Sequence, residues 1–156
     1  MIDGFRRKVV RGTLLGILVV LVAIQFVPVD RSNPPVQAEV PAPANARAIL
    51  RRACYDCHSN ETVWPWYSKV APSSWLVARD VHQGREELNF STWDRYNTKQ
   101  QVKSLKESWQ ETAEGEMPPW FYLALHRDAN LSAEDKSTLR TWALRSSPEG
   151  GQEDED

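Results

Sequence analysis

The stretch from Gly12 to Val29, GTLLGILVVLVAIQFVPV, carries no charge and has Gln25 as its one interruption. Such a run fixes the fold of its part of the chain first. Backbone N–H and C=O groups in hydrocarbon must be satisfied internally, and a single segment does this as a helix. At 1.5 Å per residue, roughly 17 to 18 residues cover about 26 Å, the short end of what a hydrocarbon core of about 30 Å requires. Arg6, Arg7, Lys8 and Arg11 precede the run, whereas only Arg31 follows it closely. This excess of basic residues places residues 1–11 in the cytoplasm and everything beyond the run outside. A cleaved leader has the same basic start and apolar run. However, the nearest small-residue site, Val36-Gln37-Ala38, lies about a dozen residues beyond Phe26, farther than a processing site usually sits. The expectation is an uncleaved, single-pass anchor over residues 12–29 in the inner membrane, with the remainder exported.

A chain of 156 residues has room for one ordinary domain plus extensions. Residues 30–45 contain Pro34, Pro35, Pro41 and Pro43 among polar and small residues, a composition that predicts extended chain. Read as a spacer, it reaches up to roughly 50 Å at about 3.1 Å per residue. Residues 147–156 end in Glu153, Asp154, Glu155 and Asp156 and read as an acidic, disordered tail. The folded domain is therefore expected over residues 46–146. Helix-forming composition runs from Ala44 to Ala53, into the cysteines. Pro72, Ser73 and Ser74 start a second helix, with Gly84 as its expected stop. Thr98 with Gln101 caps a third, ending at Gly115, and Ser132 with Asp135 caps a fourth. Pro118 and Pro119 forbid the third helix from resuming at once. No strand pattern of useful length is present. The fold class is all-α: about four helices with long aromatic-rich loops, behind one transmembrane helix. A formal charge of −2 lacks the electrostatic footprint that nucleic-acid binding needs, which removes nucleic acid as a partner.

Both cysteines fall in one segment, Cys54-Tyr55-Asp56-Cys57-His58. Cys-x-x-Cys-His is the attachment signature of c-type haem: the two thiols form thioethers with the vinyl groups and the histidine ligates iron. Three other chemistries use some of these residues. A thioredoxin-like dithiol wants a βαβ setting, which is absent. A zinc site needs four ligands, and Cys54, Cys57, His82 and His126 lack finger-type spacing. A disulfide across so small a loop adds little and leaves His58 without a role.

The runs CYDCHSNETVWPWYSKVAPSSWLVARDV, ELNFSTW and GEMPPWFYLALH together resemble the bacterial haem-binding domain family, over roughly residues 45 to 145. The resemblance implies a short c-type haem domain behind a single N-terminal membrane helix. One covalent haem c on Cys54 and Cys57, in a small cytochrome-c-like helical domain, is the expectation. For the sixth iron position, Met117 is the sole thioether in the exported part, since the other methionine is Met1. A His58/Met117 pair suits single-electron transfer and raises the potential. The bland role for Met117 is that of a gap-filling core residue. His82 and His126 are the fallback ligands, read first as a half-buried helix residue and a surface-turn residue. A carbonyl of Pro65 or Pro72 is a candidate partner for the second nitrogen of His58. Trp66, Tyr67, Lys69 and Arg79 carry donors for haem propionates, with solvated surface roles as the alternative.

The resulting expectation is a membrane-anchored periplasmic monohaem protein that passes electrons to a redox partner no residue names, and that is not an enzyme. Two rivals stand beside it: a peroxidase or gas or redox sensor with an open distal site, and a haem-bearing subunit that helps assemble a membrane complex. The charge asymmetry supplies a direct test of orientation. A reporter active only in the periplasm, fused after Asp156, should be active; activity only from a cytoplasm-dependent reporter rejects this topology.

Overall fold

The computed structural model describes residues 2–146, with side chains from Phe5 onward; the expected acidic tail lies outside the described residues. The first helix, α1 (Ile2–Ala23), continues into a 3₁₀ turn over Ile24–Phe26. It starts well before Gly12, because Arg6, Arg7, Lys8 and Arg11 are themselves acceptable helix formers with no breaker among them. The span Phe5–Phe26 is 22 residues long, with mean hydropathy 2.2 over its most apolar 18 residues, long and apolar enough to cross a membrane.

Six further helices follow: α2 (Ala44–Ala53), α3 (Tyr55–His58), α4 (Ser73–Glu87), α5 (Thr98–Glu114), α6 (Trp120–Leu123) and α7 (Ala133–Arg145). The described residues are all-helical, without a named strand. The four longer helices after α1 stand where composition and capping place them, and α3 and α6 are single turns between them. Ser132 caps α7 through the expected box with Asp135. The box that opens α5 is Asn97 with Gln100, one residue earlier than Thr98 with Gln101. Asparagine is the stronger N-cap, so Thr98 becomes the first helical residue. Gly115 closes α5 in the left-handed region at φ 84°, where a residue without Cβ is at no disadvantage.

The described chain divides into two compact units. One is built from residues up to Ser32 with Trp64–Asp80, the other from Asn33–Val63 with the residues from Val81 onward. In the second unit, α7 packs against α5 and α2. Its core joins Ile49 and Leu50 of α2, Tyr55, Phe90, Trp93, Leu105 of α5, and Leu139, Trp142 and Ala143 of α7. Fully burying side chains of this size stabilises by about 1.5–3 kcal/mol each. Tyr55 stacks on Phe90 at 5.6 Å between ring centroids, so the residue inside the cysteine pair is itself an anchor in the core.

The expected spacer differs from its reading. The chain is extended as predicted, yet from Asn33 it belongs to the second unit rather than standing clear of it. The amides of Gln37 and Ala38 donate to the Ser91 carbonyl at 2.9 and 3.2 Å, that of Val40 donates to Phe90 at 2.9 Å, and Trp93 returns a bond to Ala38 at 3.0 Å. Ala38 and Thr92 form an isolated parallel bridge. Prolines fit this strip because their carbonyls still accept: Pro35 from Asn60 Nδ2 at 3.0 Å, Pro41 from Trp142 Nε1 at 3.0 Å.

Helix α4 also departs from expectation, since it runs through Gly84 to Glu87. The glycine answers to close approach rather than to termination. A Cβ at position 84 would lie 2.7 Å from the Cys57 carbonyl oxygen and 3.1 Å from its carbon. Two measurements check these readings. Gly84→Ala normally gains up to about 1 kcal/mol in a helix, but here it should lose about 1–3 kcal/mol in denaturant unfolding. Val40, only 1 % exposed, should cost about 2 kcal/mol as Val40→Ala; no change would return the segment to a loose spacer.

Candidate functional site

Helix α2 ends at Ala53, and the Cys54 carbonyl then accepts from the amides of Cys57 at 3.2 Å and His58 at 2.9 Å. This single turn, α3, carries both thiols and the imidazole on adjacent positions of one helical surface. Cys54 and Cys57 are half-buried thiols, not a disulfide. Burial, with the neighbouring Cys57 second, pushes the Cys54 thiol up to about 12. That is the reverse of the lowered thiol of a dithiol redox centre, and among the described residues there is no named strand to build the βαβ setting of a thioredoxin-like site. Among the described residues, no group of three or more His, Cys, Asp or Glu is gathered to hold a metal ion.

His58 is held through Nδ1, which lies 2.9 Å from the Gly84 carbonyl oxygen and 3.1 Å from that of Leu88. Carbonyls only accept, so Nδ1 carries the proton and donates, leaving the lone pair on Nε2. Burial pulls the His58 pKa below its usual value, partly offset by the two carbonyls and by Glu87, so the ring is held neutral. A neutral imidazole with Nδ1–H oriented by carbonyls is the form in which histidine ligates a metal. The carbonyl partners are not those proposed from the sequence. Pro65 accepts from Ser68, by its amide at 3.0 Å and hydroxyl at 2.6 Å, and Pro72 accepts from the Trp75 amide at 3.1 Å. Gly84 and Leu88 supply the role because α4 continues past the glycine to Glu87 and brings both carbonyls to the ring, that of Gly84 also accepting from the Leu88 amide at 2.9 Å. An isolated glycine inside an otherwise helical pattern was the available signal.

The turn is braced on both sides. Asp56 Oδ1 accepts from the Val63 amide at 2.9 Å, and Asp56 Oδ2 accepts from the Tyr122 hydroxyl at 2.8 Å. Arg85 Nε donates to the Ser59 carbonyl at 2.8 Å, and its Nη2 donates to Asn33 Oδ1 and Thr62 Oγ1, each at 2.8 Å. The His58 carbonyl accepts from the Phe90 amide at 2.8 Å, so the backbone of His58 is fixed as well as its ring. No local pattern marks Asp56 or Arg85, since Tyr122 lies 66 positions from the one and Asn33 lies 52 from the other.

Met117 lies in the turn after Gly115 and is 40 % exposed, which is not the setting of a gap-filling core methionine. Its amide donates to the Glu111 carbonyl at 3.1 Å. The Tyr122–Asp56 bond ties the segment just after Met117 to the cysteine turn. His126 is less peripheral than a surface-turn reading suggests: its ring stacks on Tyr122 at 4.0 Å, and Nδ1 lies 3.1 Å from the Tyr122 carbonyl. His82 is half-buried on α4, as expected. Arg79 pairs with Asp80 at 2.9 Å, Lys69 and Trp66 are exposed, and Tyr67 is half-buried.

A donor set of two thiols and one neutral, oriented imidazole within a single turn fits a haem with thioether attachment. No curated protein and no solved structure matches the chain. The family model described as a haem-binding domain matches residues 19–145, which covers the cysteine turn, Met117 and all the helices from α2 to α7; the chain belongs to the haem-binding domain family.

Proposed function

We propose that this haem-binding protein is a c-type monohaem electron carrier, joined to haem through Cys54 and Cys57, ligated by His58 and Met117, and anchored by α1 in the inner membrane with the haem unit in the periplasm. The observation that carries the reading is the pair of carbonyls at Nδ1 of His58, which holds the ring in the one tautomer able to offer Nε2. When bound, the haem supplies a one-electron couple. The chain supplies the rest. Cys54 and Cys57 prevent loss of the group, and the Gly84 and Leu88 carbonyls raise the basicity of the His58 ring. Asp56 and Tyr122 join the ligand turn to the segment that follows Met117. Thioether ligation from Met117 would fill the sixth position and favour the reduced state, which suits electron transfer over chemistry on a bound substrate. The exposed apolar helix and its basic N-terminal turns support the anchor and its orientation.

The 40 % exposure of Met117 favours one second reading, in which the sulfur does not stay on the iron and a small molecule reaches it, as in a sensor or peroxidase.

Substitution at Met117 separates the two. Met117→Ala should keep covalent haem, remove the sulfur-to-iron charge-transfer band of the ferric form, and lower the potential by on the order of 0.1 V, part of the about 0.8 V range that axial ligands set. Loss of the low-spin spectrum in His82→Ala or His126→Ala, with Met117→Ala unaffected, would replace the thioether by a second histidine. A wild-type protein that is already high-spin, and that binds carbon monoxide rapidly when reduced, would place the open-site reading first.

A further inference from the structure

Gln25 interrupts the apolar run close to its end, and an amide there needs partners for two donors and an acceptor. Its Nε2 donates to the Leu21 carbonyl at 2.9 Å, as a side chain can within its own helix. It also donates to the Ala71 carbonyl at 3.1 Å, and its Oε1 accepts from the Ala71 amide at 3.0 Å. Side chain and backbone thus pair as two facing amides, fastening residue 71 to the last turn of the candidate span. Arg31 adds a second tie, donating from Nη1 to the Ser68 carbonyl at 3.2 Å.

The fastened segment has two sides. Ser68, Ala71 and Ser74 are buried, and Ser73 Oγ closes the turn by donating to the carbonyls of Tyr67 and Val70, each at 2.7 Å. The other side exposes Trp66 at 77 %, Leu76 at 53 % and Val70 at 45 %, with Trp75 and Lys69 also exposed. A cluster of large apolar side chains facing outward marks a contact surface. Its composition is that of a membrane interface, where tryptophan sits at the headgroup level and a lysine stem lies along apolar surface with its ammonium among phosphates. The helix to which the segment is fastened ends at the same level.

We infer that Trp66–Leu76 is an interfacial docking surface for the bilayer that α1 crosses, with Trp66, Val70 and Leu76 entering the boundary between headgroups and acyl chains. The inference rests on the reading of α1 as a membrane span. Gln25 is the positioning residue: its amide pair holds the segment at the depth where the span ends. The chain then has two contacts with the membrane, one crossing and one lying on its surface.

Photo-crosslinking of the full chain tests this. Benzoylphenylalanine is placed in turn at Leu14, Trp66 and Leu76, and the protein is reconstituted in nanodiscs of phosphatidylethanolamine and phosphatidylglycerol. Lipid adducts are then measured by mass spectrometry. Adduct yields at 66 and 76 should fall within about threefold of the yield at 14, since interfacial side chains reach the acyl boundary. Gln25→Ala should lower the yields at 66 and 76 and leave that at 14 unchanged. Adducts at 14 with only background at 66 and 76, or adducts there to protein in place of lipid, would overturn the docking surface and leave the span standing. Background at all three positions would overturn the span, and the docking surface with it. Yields at 66 and 76 unchanged by Gln25→Ala would overturn the positioning role of Gln25.

Discussion

The contact between the cysteine turn and α4 is set by a missing atom. Gly84 brings the helix so near to Cys57 that a Cβ would sit 2.7 Å from its carbonyl oxygen. At that approach the Gly84 and Leu88 carbonyls both reach Nδ1 of His58. One close backbone approach therefore decides the tautomer and the orientation of the ring, while burial keeps it neutral; ligation requires all three. A side chain as small as alanine would separate the elements and release the ring from at least one carbonyl. Among α4's residues, the one that looks weakest by helix propensity is thus the one on which the site's geometry depends.

The surroundings of the turn are arranged so that this contact is not left to flex. Tyr55 is buried against Phe90, and the amide of Phe90 donates to the His58 carbonyl. Arg85, next to the glycine, donates to Ser59 on the far side of the turn and to Asn33 and Thr62. Half-buried, charge-assisted hydrogen bonds of this kind are stronger than neutral ones and fix direction as well as distance. The strip Asn33–Pro43 adds its own backbone bonds to Phe90 and Ser91, so a segment that looks like a tether contributes to holding the partners of His58 in place.

What could be read from the sequence was what neighbouring residues encode together. The cysteine turn is contained in five consecutive residues, and the Ser132–Asp135 capping box in four. Helix composition and caps likewise mark the four longer helices after α1. What could not be read depends on residues brought together by packing. Asp56 and Tyr122 are 66 positions apart, Arg85 and Asn33 are 52 apart, and nothing local to any of them announces the pairing. The proline-rich strip was misjudged for a related reason: its composition does specify extended chain, but whether extended chain lies free or against a core is decided by acceptors such as the Ser91 carbonyl. Glycine serves equally at helix ends and at close contacts, and at position 84 only the approach of Cys57 distinguishes the two.

The central claim is that the turn from Cys54 to His58 holds a haem by covalent bonds. The intact mass of the full chain under denaturing conditions, after production in cells that carry out c-type haem maturation, tests it most directly. The account predicts the mass of the chain plus one haem. The mass of the bare chain, from a sample whose spectrum shows haem before denaturation, would contradict it.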